Sequence, residues 1–172
     1  MSDVIKIYFD TEFTDMTKPA LISIGFVGGG KEFYAELTDT WDESMCSMFV
    51  IANVLPLLDG KDREMGIYDL RSKLKEWIES FGQPVQLLSD APTYDWPFIE
   101  LLFNFGVHGW PDNLIRKCEN TQIFENDNER FRYNNAYQSF WQSVAAGKQH
   151  HALWDACCIQ YAHRYGLRKR TL

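Results

Sequence analysis

Cysteine is scarce in this chain: there are four, Cys46, Cys118, Cys157 and Cys158, and no two stand in a CxxC pair. Cys157 and Cys158 are adjacent and would point different ways on a helix, so neither a disulfide framework nor a zinc site is implied. A reduced, cytoplasmic setting is the simple expectation. Long apolar runs are lacking as well, none reaching the roughly 18 residues that a membrane helix needs, so no membrane partner is expected. The opening Met1-Ser2-Asp3 has no basic region and no apolar signal core, and nothing suggests export. Repeats, low-complexity segments and linkers are missing too, and 172 residues suit a single domain spanning 1–172.

Basic residues are in the minority. Seventeen Lys and Arg against 24 Asp and Glu leave a formal charge of −7. That balance argues against tight, long-range binding of nucleic acid, which demands a basic surface. It argues less against catalysis on nucleic acid. An acidic metal site is neutralised by its own ions, and an enzyme that grips a few terminal nucleotides needs few phosphate contacts.

What is present is the composition of an ordinary globular protein, 45% hydrophobic and 24% charged. Val4–Phe9 is apolar and β-rich and runs straight into Asp10. Pro19–Val27 predicts a second strand, Gly28-Gly29-Gly30 a turn, and the alternation of Lys31–Leu37 a third strand. Short connections make these three an antiparallel meander. Residues 44–58 have apolar content at helical spacing. Residues 66–81 predict a clearer helix, with Ile67, Leu70, Leu74, Trp77, Ile78 and Phe81 on one side and Gly82 closing it. Val85–Ser89 reads as a buried strand, followed by a helix through about Phe105 and a further strand at Leu114–Glu119. Residues 121–134 are polar and ambiguous, 136–146 look helical, and a last helix runs from about Trp154 to Tyr165. This order predicts an α/β fold. Its sheet is mixed and five-stranded, an antiparallel meander plus two parallel strands, with helices on both faces.

Three segments carry chemistry. Asp10 and Glu12 stand two apart at the end of the first strand, so both side chains reach one side. They are either a solvated strand end or a pair of acids that repel each other unless a cation joins them. Asp95, in Tyr94-Asp95-Trp96-Pro97-Phe98, is either a helix N-cap or a ligand, and Asp90 is the rival carboxylate at the same strand end. His150-His151-Ala152-Leu153-Trp154-Asp155 opens the last helix. His150 and Asp155 converge only if His150 lies in the preceding loop, which is where a general base would stand. The alternative is a surface histidine pair beside an aspartate favoured by the helix dipole.

Taken together, Asp10-x-Glu12, Tyr94-Asp95 with Phe98, and His150-x-Ala152-x-x-Asp155 resemble the DEDDh 3′–5′ exonucleases of the ribonuclease-H-like superfamily. The Asp-Thr-Glu-Phe-Thr opening and short chain are similar to a small bacterial and phage exoribonuclease branch. The resemblance covers residues 4–165. It implies two Mg²⁺ or Mn²⁺ ions per site, with Asp10 bridging them and Glu12 and Asp155 holding the ion that carries the attacking water. It further implies Asp95 acting on the second ion, through water, and His150 taking the proton. The family often has Asn where Asp90 stands, so Asp90 is a second carboxylate close to the site, but the Tyr-Asp-x-x-Phe pattern favours Asp95 as the one that faces the metals. The implied partner is the 3′ end of single-stranded RNA, with DNA as the alternative, and relatives are often homodimers.

Thr11, Phe13 and Trp96 are candidate substrate contacts: aromatics near such a site can stack unpaired bases, though core packing is the competing role. Phe98 is assigned to the core. Arg168, Lys169 and Arg170 read as a solvated basic tail. Two rivals remain. One is a binding module of the same fold without catalysis, which would need a broken carboxylate set. The other is an endonuclease or transposase-like enzyme, which has no need of a histidine five residues before its last acid.

Overall fold

The computed structural model describes residues 4–105 and 109–166. The tail Arg168-Lys169-Arg170 lies outside the described residues. The strands are β1 (Ile5–Phe13), β2 (Leu21–Gly28), β3 (Lys31–Leu37), β4 (Glu64–Met65), β5 (Val85–Ser89) and β6 (Leu114–Asn120). They form one sheet in the order β4-β3-β2-β1-β5-β6. The first three are the antiparallel meander, with β2 and β3 joined by a turn in which Gly29 and Gly30 adopt φ of +55° and +77°. β5 runs parallel to β1, and β6 parallel to β5. This is the mixed sheet the sequence predicts, with one strand more than expected. The addition is β4, which pairs parallel to the end of β3. Two residues are too few to show an alternation, so nothing in the sequence marks it.

Strand alternation sorts the two faces. Ile7 and Phe9 of β1 enter the main core with Leu70, Leu74 and Ile78 of α2 (Ile67–Glu79) and Phe98, Ile99 and Leu102 of α3 (Pro92–Asn104). Tyr8, between them, turns the other way and packs on Ala156 and Ile159 of α5 (Ala152–Gly166). β2 is buried on both faces along its whole length, as a central strand must be. The α5 helix is backed by α4 (Asp127–Ser143), through Phe140 and Cys158.

Two helical expectations change in detail. Residues 44–58 are not one helix. They break into a turn at Glu43–Met45, the short α1 (Met48–Asn53) capped by Ser47, and a turn at Leu55–Leu57. Pro56 has no N–H to continue a helical ladder. The α4 helix starts at Asp127, well before the helical pattern at 136, with Asn126 accepting from the Glu129 N–H at 3.1 Å. Its buried side chains are Tyr133 and Phe140, too sparse for a periodic signal.

Candidate active site

Asp10 and Glu12 leave β1 on the α5 side of the sheet, opposite Gly25 and Ser23 of β2. Gly25 decides how close α5 comes. A Cβ at that position would lie 2.4 Å from the backbone nitrogen of Leu153 and 2.5 Å from the Ala152 carbonyl carbon. Only glycine lets the first turn of α5 rest on the sheet, and that contact lowers Asp155 onto the β1 acids. Carboxylate oxygens of Asp10, Glu12 and Asp155 lie within 4.8 Å of one another. A second group, Asp10, Asp90 and Asp95, meets the same limit. Asp10 belongs to both.

Asp95 is not the N-cap of its helix. The cap is Ala91, which offers no side-chain bond, and Pro92 takes the first turn. Asp95 stands further in, 2% exposed, where its two oxygens accept from the Thr11 hydroxyl at 2.6 Å and from the Ser89 hydroxyl. Thr11 therefore turns its hydroxyl to Asp95. Asp90, the residue just after β5, borders the open cavity in front of this pair.

The electrostatics are those of acids without a counter-charge. Burial, followed by Asp95, Asp155 and Glu12, drives the Asp10 carboxyl well above the usual carboxylate range. Burial and then Asp155 push Glu12 up to about 8. Asp155 is raised to about 7 by burial, and Asp95 to about 7 by burial against the pull of Ser89 and Thr11. Among the described residues no ion pair reaches any of these acids. The Asp155 Oδ2 atom is buried with no hydrogen-bond partner. A buried carboxylate oxygen left without a donor is costly, and a hard divalent cation satisfies such oxygens. The residues present fit Mg²⁺ or Mn²⁺.

The cavity in front of the acids has a volume of about 200 Å³, and His150 borders it with Asp10, Glu12, Asp90 and Asp155. His150 lies in the loop before α5 with φ of +72°, so it escapes the helical spacing that would separate it from Asp155. Phe49 of α1 meets its ring edge-on at 5.0 Å. Burial lowers its pKa, which favours the neutral imidazole. His151 goes elsewhere. It is 3% exposed, stacked on Tyr34 at 4.4 Å, with Nε2 3.5 Å from Asp59. The local His151–Asp155 pairing that four-residue spacing allows is not formed.

Phe13 stacks against Tyr94 and packs on Phe98, lining an apolar groove of about 270 Å³ with Met16, Pro97 and Leu101. Trp96 is not brought to the cavity; it packs on Trp110, ring centroids 5.8 Å apart, at the edge of the main core. Two polar cavity residues escape the sequence reading, Tyr137 and Gln149, as does the apolar Ile159. Gln149 is flagged only by adjacency to His150, and Tyr137 lies in the helical 136–146 stretch with no signal of a site role.

No family model matches this chain, and no curated protein matches it either. Solved structures do. A structure of exonuclease I superposes with a TM-score of 0.57 at 10% identity, over 91% of this chain and 39% of that one. A moderately thermophilic exonuclease I from Methylocaldum szegediense superposes with a TM-score of 0.53 at 14% identity, over 98% of this chain and 41% of its own. The chain thus spans about two fifths of the length of these exonuclease I chains, and over that length it shares their mixed α/β fold.

Proposed function

We propose that this protein is a 3′–5′ exonuclease that hydrolyses single-stranded nucleic acid, RNA in preference to DNA, and releases nucleoside 5′-monophosphates. The observation that carries the reading is the pair of carboxylate triads sharing Asp10, with a loop-borne histidine on the rim of the same cavity. The fold shared with the exonuclease I structures supports it. The RNA preference rests on the resemblance to the small exoribonuclease branch.

Asp10, Glu12 and Asp155 would hold one Mg²⁺ or Mn²⁺ ion, and Asp10 with Asp90 and Asp95 the other. Two such ions, when bound, supply charge that stabilises both the entering and the leaving oxygen of an in-line displacement at phosphorus. Asp10 would serve both positions because β1 delivers it between α5 and the β5–α3 connection. Thr11 and Ser89 hold the Asp95 carboxyl by its two oxygens and fix its angle. His150, neutral and facing the acids from the loop, accepts the proton of the attacking water at an imidazole nitrogen. The groove beside Phe13 and Tyr94 offers an apolar surface for unpaired bases.

The test is a 5′-labelled RNA oligomer and its DNA counterpart, each incubated with Mn²⁺ and with EDTA. A ladder of shortening products in Mn²⁺ alone, faster on RNA, is expected. Internal cuts would make the protein an endonuclease, an unchanged oligomer would make it a binding module, and equal rates would remove the RNA preference.

A further inference from the structure

The face of the sheet that carries the carboxylates continues past Gly25 into a second polar arrangement, which the chemistry above does not use. The strand register sets two rows across β1, β2 and β3: Asp10, Gly25 and Tyr34 in one, Glu12, Ser23 and Glu36 in the next. Paired residues share a face, so both rows lie beneath α5. The first turn of α5 rests on Gly25, with Asp155 toward β1 and His151 toward β3.

Glu36 is 3% exposed and well supplied with donors. Its carboxylate accepts from the Tyr34 hydroxyl at 2.8 Å, the Asp59 N–H at 2.6 Å and the Gly60 N–H at 2.9 Å. The Tyr34 ring, fixed by that bond, lies nearly parallel to the His151 ring at 23°. His151 Nε2 in turn approaches the Asp59 carboxylate, whose own backbone Glu36 holds. The contacts close into a circuit around one imidazole.

That circuit abuts the one strained residue of the catalytic loop. A left-handed φ in a residue with a Cβ is strained and persists only where the neighbours over-determine it. On the C-terminal side of His150, the His151 ring is buried and Ala152–Leu153 is pressed on Gly25. We propose that Glu36, Tyr34 and His151 form a positioning brace that holds the His150 turn and so presents its imidazole to the carboxylate cavity. None of the three lines the acids' cavity, and they act through His150. The part played by His150 in this inference rests on the exonuclease reading.

The test compares His151→Ala, His151→Leu, which fills the space without an aromatic face, and His151→Phe, which keeps a ring on Tyr34. With the brace as described, His151→Ala and His151→Leu lower kcat by roughly 10- to 100-fold, the scale of a misplaced catalytic group. KM for the oligomer and the affinity for Mn²⁺ stay within about threefold, and His151→Phe recovers most of the rate. In a His150→Ala background His151→Ala slows the enzyme no further, because it acts through the group already removed. Amide hydrogen exchange at residues 150–152 rises in His151→Leu and not in His151→Phe. An equal loss in the His150→Ala background, no recovery with Phe, or unchanged exchange would overturn the brace. Absence of cleavage by the unmodified protein would instead sink the exonuclease reading, and hydrogen exchange would still judge whether the brace holds the turn.

Discussion

Glu12 and Glu36 lie in one row of the sheet, separated only by Ser23 and both facing α5. Glu36 is given three donors, from Tyr34, Asp59 and Gly60. Glu12 receives none from any described residue, and burial beside Asp155 pushes its carboxyl up to about 8. The protein thus satisfies one buried acid completely and crowds another with three more acids. An acid whose work is structural is closed off by its own fold. The acids that would hold a cation under the proposed function are left open, and without one the folded state carries their repulsion.

The widest separation between the two regions comes from removing one acid from each. Asp10→Asn should abolish cleavage, by roughly 10³-fold or more, since the loss of several kcal/mol of charge stabilisation is at stake. In EDTA the same variant should melt above the wild type, because a repelling charge is gone. Glu36→Ala should do the reverse in EDTA, melting lower by roughly 3 kcal/mol, or about 10 °C, with the Tyr34 hydroxyl and two backbone N–H groups orphaned. Thermal denaturation of both variants in EDTA checks the pair; two shifts of the same sign would end the distinction.

A smaller effect follows with pH. The carboxyls of Glu12, Asp95 and Asp155 have folded-state pKa values above their ordinary ones, at about 8, 7 and 7. The folded state therefore holds protons that the unfolded chain has already released. The stability this contributes is present at lower pH and is lost as pH rises through 7 to 8. Between pH 7.5 and 8.5, above the range where unfolded histidines titrate, the metal-free protein should lose roughly 4 °C in Tm. Saturating Mn²⁺ should flatten or invert that slope. A metal-free Tm that rises with pH in this window would mean the acids are not coupled as described.

The smallest test concerns the loop between the regions. His150→Gly should be more stable than His150→Ala by roughly 1 kcal/mol, about 3 °C, because glycine takes a left-handed φ without strain. Both variants lack the imidazole, so the comparison isolates the backbone. Equal melting temperatures would show that the turn relaxes once the side chain is cut back.

Much of the fold is legible in the sequence where the signal is periodic. The Leu70, Leu74 and Ile78 spacing marks α2, and Ile7 and Phe9 alternating with Tyr8 and Asp10 mark a strand with two different faces. The start of α4 and the strand β4 are not legible. One rests on a cap and two buried rings, the other on two residues paired with the end of β3. The site divides in the same way. Asp10 with Glu12, and His150 with Asp155, are neighbours in the chain, and their spacing already restricts which of them can meet. Asp90 and Asp95 are ranked only by the family's Tyr-Asp-x-x-Phe pattern, and the structure gathers both around Asp10.

By itself the sequence determined that two acids leave one strand on one side, and that a histidine five residues before an aspartate must stand outside the helix to face it. Both are consequences of backbone geometry within a few residues. Only the tertiary structure decided that α5 sits close enough for Asp155 to join Asp10, and that depends on the missing Cβ of Gly25, 130 positions away. Only it separated the two adjacent histidines, sending His150 to the acids and His151 to Tyr34. Residues distant in the chain meet through strand register and close packing, and spacing along the chain says nothing about which of them will touch.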